Sequence, residues 1–191
     1  MPGWRRGGFN VSFSAAYCKC AKTLVAIHLL VLRCGTALVT RKGLPDGDFK
    51  VHFEYPADLI PRRRASGFGL YKLLGIDRND LAARNAQMRK SFTFFGAPTA
   101  IFIFVHRDLH EYAVLAAGVF LQSLMLSAEA RRLATCAQGA LATYAGPVRT
   151  VFDVPAPYKL ICGLLISYAA DDPVNQYNPG RGDVAALKTP L

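Results

Sequence analysis

Runs of apolar residues recur along the chain at spacings that separate helices from strands. Thr99 to Val105 (TAIFIFV) is short, β-branched and aromatic, which predicts a buried strand, and Lys159 to Tyr168 (KLICGLLISY) predicts a second. Glu111 to Arg132 is the clearest helix. Its large residues Val114, Leu115, Val119, Phe120, Leu121, Leu124, Met125 and Leu126 wrap most of its circumference, so it should be covered on several sides, at a domain centre or a subunit interface. A membrane span is the rival, but Gln122, Ser123, Ser127 and Glu129 interrupt the apolar stretch.

Shorter elements flank these three. Phe53-Glu54-Tyr55-Pro56 opens an extended stretch, and Pro61 is placed to start a helix over Arg62 to Ile76, broken at Gly75. Asp77 or Asp80 caps the next helix, through Leu81, Ala82, Met88 and Phe92, until Gly96-Ala97-Pro98 stops it. Thr135 to Ala140 (TCAQGA) reads as a loop, and Tyr144 to Phe152 as a short helix ended by Pro155 and Pro157. Past Ala169 the chain is irregular and rich in Pro and Gly, and no internal repeat is present. Together these predict an α+β domain.

Composition agrees with a packed domain: 191 residues, 52% apolar and 19% charged, enough to bury a core and too apolar for a disordered chain. The net charge of +10 is lopsided. Up to Phe95 there are 16 Lys and Arg against 6 Asp and Glu, and from Gly96 onward 7 against 7. No zinc-finger spacing, aromatic RNA-binding signature or basic heptad accompanies the excess, so neither nucleic acid nor a membrane is the expected partner. No acidic residue precedes Asp46, and Leu24 to Leu32 is almost wholly apolar but too short to span a bilayer. Residues 1–48 are therefore set apart as an atypical segment, either native, a targeting sequence or a beginning displaced by a frame or start difference, and 49–191 as the domain with an extended C-terminal tail. Five cysteines, Cys18, Cys20, Cys34, Cys136 and Cys162, are scattered and odd in number, which argues for free thiols in a reducing, cytoplasmic setting.

Few motifs carry chemistry. His106-Arg107-Asp108-Leu109 imitates a kinase catalytic loop but lacks its Asn and its glycine-rich loop. His106 and His110 stand four apart without further ligands, so no metal is expected. Arg62-Arg63-Arg64 is a solvated face or an anion site. Asn10-Val11-Ser12 and Arg181-Gly182-Asp183 match short motifs by chance. No Gly-x-Gly-x-x-Gly or Gly-x-Ser-x-Gly is present, and residue chemistry alone does not reach a reaction.

An ordered set of blocks goes further. FEYP (Phe53–Pro56), RRRASGFGLYKLLGI (Arg62–Ile76), RNDLAARNAQM (Arg78–Met88), FFGAP (Phe94–Pro98), GVFLQSLMLSAEARRLATCAQGAL (Gly118–Leu141), LICGLLISYAADDPVN (Leu160–Asn175) and Arg181 together resemble the nitroreductase family, especially its nitrobenzoate-reductase-like branch. The resemblance implies an α+β fold with a mainly antiparallel sheet flanked by helices, in an intertwined homodimer with the Glu111–Arg132 helix against its mate and the tail across the partner. It implies FMN as cofactor, with NAD(P)H as donor and a nitroaromatic or quinone as acceptor, reacting in ping-pong order, and no catalytic acid or base. Ala137, Gln138 and Gly139 correspond to the segment lying against the flavin ring, with Ala137 where the family has Pro, and Arg181 corresponds to a phosphate ligand. The family's Arg-Arg-Ser-x-Arg cradle and Pro-Ser-x-x-Asn-x-Gln-Pro-Trp segment have no counterpart beyond Arg5-Arg6-Gly7-Gly8. That departure implies an alternative: a truncated, non-catalytic homologue that dimerises without FMN.

Overall fold

The computed structural model describes residues 25–29, 38–39, 45–49, 55–181 and 183. Among the described residues, four antiparallel strands form one sheet. They are β1 (Val25–Leu29), β2 (Thr99–His106), β3 (Ala134–Gln138) and β4 (Tyr158–Ser167), in the order β1-β2-β4-β3. Helices α1 (Ile60–Leu73), α2 (Leu81–Arg89), α3 (His110–Glu129) and α4 (Ala145–Val151) flank it. The α+β class and the antiparallel sheet expected from the sequence are both present.

β2 is the centre of the packing, and its sequence explains why. Ala100, Phe102 and Phe104 point into one core with Phe92, Phe94, Leu141, Val148 and Phe152, whereas Ile101, Ile103 and Val105 point into a second core under α3. A strand buried on both faces reads as a continuous apolar run. β4 is its antiparallel partner, with a bulge: Ile103 faces Cys162 while Phe104 faces Leu160, so Ile161 is the extra residue. The bulge changes the parity of β4, turning Leu160 and Leu165 to the first core and Cys162 and Leu164 to the second.

Pro61 stands in the first turn of α1, as its fixed φ favours. Asp80 caps α2 by accepting from the Ala83 N–H at 2.8 Å. α2 ends at Arg89, and Phe92 belongs to the tighter turn Lys90–Gly96 that follows. Arg78 over Phe68 and Arg84 over Tyr71 tie the two helices together.

One expectation requires correction. The stretch read as a loop from Thr135 to Ala140 is mostly strand β3, because the exposed edge of β4 offers its backbone a complete ladder from Ala134 opposite Ser167 to Gln138 opposite Gly163. α3, expected at a domain centre or a subunit interface, is covered on its sheet side by the described residues of one chain. Ala113, Ala117, Leu124 and Ala128 are buried against the sheet, while Tyr112, Leu115, Val119 and Leu126 are exposed. Residues 107–129 are long and apolar enough to cross a membrane by length and composition, yet their small-residue face packs on the chain's own sheet.

Residues ahead of 49 take part in the fold. β1 pairs with β2 from Val25 opposite Val105 to Leu29 opposite Ile101, Leu38 is fully buried, and Asp48 accepts from Leu160 N–H at 2.8 Å and from Arg149 at 2.7 Å. At the other end, the Tyr177 hydroxyl donates to the Ser66 carbonyl at 2.6 Å, so the tail at Tyr177 touches α1 of the same chain. Gly69 permits this, since a Cβ there would collide with the Tyr177 ring. Asn10, Cys18, Cys20, Cys34, the Arg5-Arg6-Gly7-Gly8 run, Phe53, Glu54 and Gly182 lie outside the described residues.

Candidate functional site

Ala137 and Gln138 end β3, and Gly139 starts the tight turn Gly139–Thr143. β3 is the last strand of the sheet among the described residues, so along its outer edge alternate backbone groups have no strand partner among them. Ala137 and Gly139 are exposed and Gln138 is half-buried. A Cβ added at Gly139 would meet open space. Gln138 turns its amide back to Cys136, donating from Nε2 to Sγ at 3.0 Å. The turn is anchored from inside by Leu141, which lies so close to β4 that only glycine fits at position 163.

The turn Gly139–Thr143 packs against the turn Lys90–Gly96, and beside that contact is a hollow of about 540 Å³. Its lining includes Arg89 and Lys90 from the end of α2, Phe92 and Thr93 from the following turn, and Tyr144. Phe92 and Tyr144 meet edge to face, with centroids 5.6 Å apart. Among the described residues, the lining holds two cations and no carboxylate. Phe94 and Phe95, at φ of 57° and 49°, take left-handed conformations that non-glycine residues avoid. Such strain clusters where a backbone must hold a site. A cationic rim beside an aromatic wall suits a planar ring carrying negative charge, and the volume is in the range of small-molecule sites.

Of the positions singled out by the sequence, Ala137, Gln138 and Gly139 are adjacent at the strand end, one turn from this hollow. Arg181 is exposed and has no hydrogen bond or ion pair among the described residues. Arg62, Arg63 and Arg64 are exposed on the first turn of α1, with Arg63 stacked 4.8 Å over Tyr55. His106 and His110 belong to no group of three or more metal-ligating side chains among the described residues. Cys136 is exposed; Cys162 is buried and its thiol is pushed up to about 11 by that burial. Sequence reasoning missed Arg89, Lys90, Phe92, Thr93 and Tyr144. A basic pair leading into FTFF was the available signal, but the wall opposite is some fifty residues later and is joined to it only by folding.

Three comparisons bear on this geometry. Residues 46–168 match the model of the Nitroreductase family. The 4-nitrobenzoate reductase of Nocardioides sp. is 33% identical over 108 residues, 56% of this chain and 44% of that protein. The 4-nitrobenzoate reductase of Pseudomonas putida is 32% identical over 155 residues, 77% of this chain and 67% of that protein. The match therefore spans under half of one relative and about two thirds of the other. Among solved structures, the FMN-dependent nitroreductase NfnB from Mycobacterium smegmatis, in complex with NADPH, superposes with a TM-score of 0.79 at 27% identity, covering 87% of this chain and 78% of that one.

Proposed function

Because this chain belongs to the nitroreductase family, we propose that it is a flavin-dependent oxidoreductase that takes electrons from NADH or NADPH and reduces nitroaromatic or quinone-type acceptors. The observation that carries this reading is the hollow rimmed by Arg89 and Lys90, with Phe92 and Tyr144 as its wall, one turn from the strand end Ala137-Gln138-Gly139. When bound, FMN supplies the redox chemistry, two electrons taken from the nicotinamide and then given to the acceptor in ping-pong order.

This chain's own residues bind and orient. The open edge of β3 at Ala137 and Gln138 offers backbone groups to the ring's heteroatoms, and Gly139 leaves room for a flat ring. Arg89 and Lys90 attract the negative charge, and Arg181, without a partner among the described residues, is available for a phosphate. We assign no acid or base to the chain. The exposed face of α3 supports a homodimer, in which a second copy covers Tyr112, Leu115, Val119 and Leu126. A cytoplasmic location is part of the same proposal.

Titrating FMN into the purified chain and following flavin fluorescence tests it. We expect saturable quenching, oxidation of NADPH that requires 4-nitrobenzoate or a quinone, and about tenfold weaker FMN binding in each of Arg89→Gln, Lys90→Gln and Arg181→Gln. The apolar face of α3 also favours the alternative, a non-catalytic homologue that dimerises without flavin. A stable dimer by light scattering that leaves added FMN fluorescent selects that alternative.

A further inference from the structure

Beyond β4 the chain runs on to Arg181 with no regular element except the tight turn Pro173–Gln176. From Tyr168 to Arg181 only Val174 and Tyr177 are half-buried, and every other residue is exposed. A segment with so little buried surface has no core of its own, so its place is set by whatever ties it to the body.

The hydrogen bonds of this tail are of two kinds. Local ones give it shape: Asp172 accepts from the Val174 N–H at 2.9 Å, Asn175 donates to the Ala170 carbonyl at 2.7 Å, and Asn178 accepts from the Gly180 N–H at 3.0 Å. The bond from the Tyr177 hydroxyl to the Ser66 carbonyl is different. Among the described residues it alone ties residues 170–181 to another element by a hydrogen bond. The helix is adapted to it. A Cβ at Gly69, one turn after Ser66, would collide with the Tyr177 hydroxyl and ring. Glycine inside a helix is less stable than alanine, so α1 gives up helix stability where the ring sits.

Between Tyr177 and Arg181 the backbone has little freedom. Pro179 fixes its own φ, and Gly180, left-handed at φ 78°, closes onto the Asn178 side chain. Four residues reach no further than about 14 Å, so the place of Tyr177 decides the place of Arg181.

We propose that Tyr177 is a positioning residue: packed on Gly69 and bonded to Ser66, it holds Arg181 where the FMN phosphate binds. This role rests on the assignment of Arg181 to that phosphate in the proposed function. An arginine already in place loses less freedom on pairing than one on a loose tail. Loosening the tail lowers the apparent affinity by the fraction of chains in which it stays docked.

Riboflavin, which has the same ring and no phosphate, separates the two ends of the ligand. In fluorescence titrations of the full chain, Arg181→Gln, Tyr177→Ala and Gly69→Ala should each weaken FMN about tenfold and leave riboflavin unchanged. Tyr177→Phe, which keeps the ring, should fall between. Tyr177→Ala combined with Arg181→Gln should be no worse than Arg181→Gln alone, because both remove one contact. Gly69→Ala separates undocking from misfolding, since alanine strengthens α1. In the flavin-free chain, NMR order parameters of the Asn178, Gly180 and Arg181 amides should drop from about 0.85 to below about 0.6 in Tyr177→Ala and Gly69→Ala, but not in Arg181→Gln. A native chain that does not prefer FMN to riboflavin, or a preference that survives Arg181→Gln, overturns the phosphate assignment and the positioning role together. A preference lost in Arg181→Gln but kept in Tyr177→Ala and Gly69→Ala, or order parameters unchanged in those two variants, overturns the positioning role alone.

Discussion

Gly75 and Arg132 hold the same position at the ends of two helices. After α1, Gly75 N–H bonds to the Lys72 carbonyl and Ile76 N–H to that of Tyr71; after α3, Arg132 bonds to Glu129 and Leu133 to Ala128. Both residues are left-handed, at φ 66° and 59°, as this helix ending demands. Glycine adopts that conformation freely, whereas a side chain destabilises it by about 1–2 kcal/mol. Arg132→Gly is therefore expected to stabilise the protein by about 1 kcal/mol, raising the thermal midpoint by about 2–4 °C, and Arg132→Ala to bring no such gain. Cys162 offers a prediction of a different kind. Burial raises its thiol from 9.0 to about 11, so the unfolded chain releases this proton first. Its contribution is intact below about pH 9 and declines by about 2–3 kcal/mol as the pH rises to about 11. Urea midpoints across that range in the native protein and in Cys162→Ala should converge toward alkaline pH. Peptide mapping after alkylation near pH 8 should find Cys136 modified and Cys162 untouched.

At the scale of elements, β3 and α3 were the two whose surroundings mattered most. The ATCAQ of β3 has one β-branched residue and no large apolar one, so its sequence gives a weak strand signal; pairing with β4 imposes the strand. α3 is the reverse case. Its helical character is plain from its residues, but only the tertiary structure shows that Ala113, Ala117, Leu124 and Ala128 face the sheet while Tyr112, Leu115, Val119 and Leu126 face outward. A helix that packs one face on the sheet and leaves Tyr112, Leu115, Val119 and Leu126 exposed has a second apolar surface to satisfy. The double variant Leu115→Glu, Val119→Glu should convert a dimer to a monomer by light scattering. Because both residues are exposed in the single chain, unfolding of that monomer should shift by no more than about 0.5 kcal/mol. An unchanged dimer would place the contact elsewhere.

Across the whole molecule, the stability of the sheet depends on residues before 49. β1 covers one edge of β2, Leu38 fills the first core, and Asp46 and Asp48 bond to Gly146, Arg149 and Leu160. Deleting 1–48 bares the Thr99–His106 edge and opens a cavity at Leu38, whose loss alone is worth about 2–5 kcal/mol. The shortened chain should unfold at markedly lower urea and associate on light scattering. An unaltered midpoint would show that 49–191 is complete without them. The same experiment tests the division of the chain at 48/49.

What the sequence determined by itself was local and periodic. TAIFIFV, LICGLLISY and the long apolar helix announce their own conformations, because a run buried on both faces or an apolar cylinder has few alternatives. Proline at 61 and Asp80 fixed the two helix starts by backbone chemistry alone. The blocks from Phe53 to Arg181 also carried the family, which the match over 46–168 and the NfnB fold bear out. The hollow was decided only in three dimensions. Arg89 and Lys90 meet Tyr144, and Lys159 meets His106, across separations of some fifty residues, and such proximity is set by strand register and by a one-residue bulge rather than by any local pattern. The outward face of α3 was likewise fixed by packing, since a helix apolar all round does not say which side its own chain will cover.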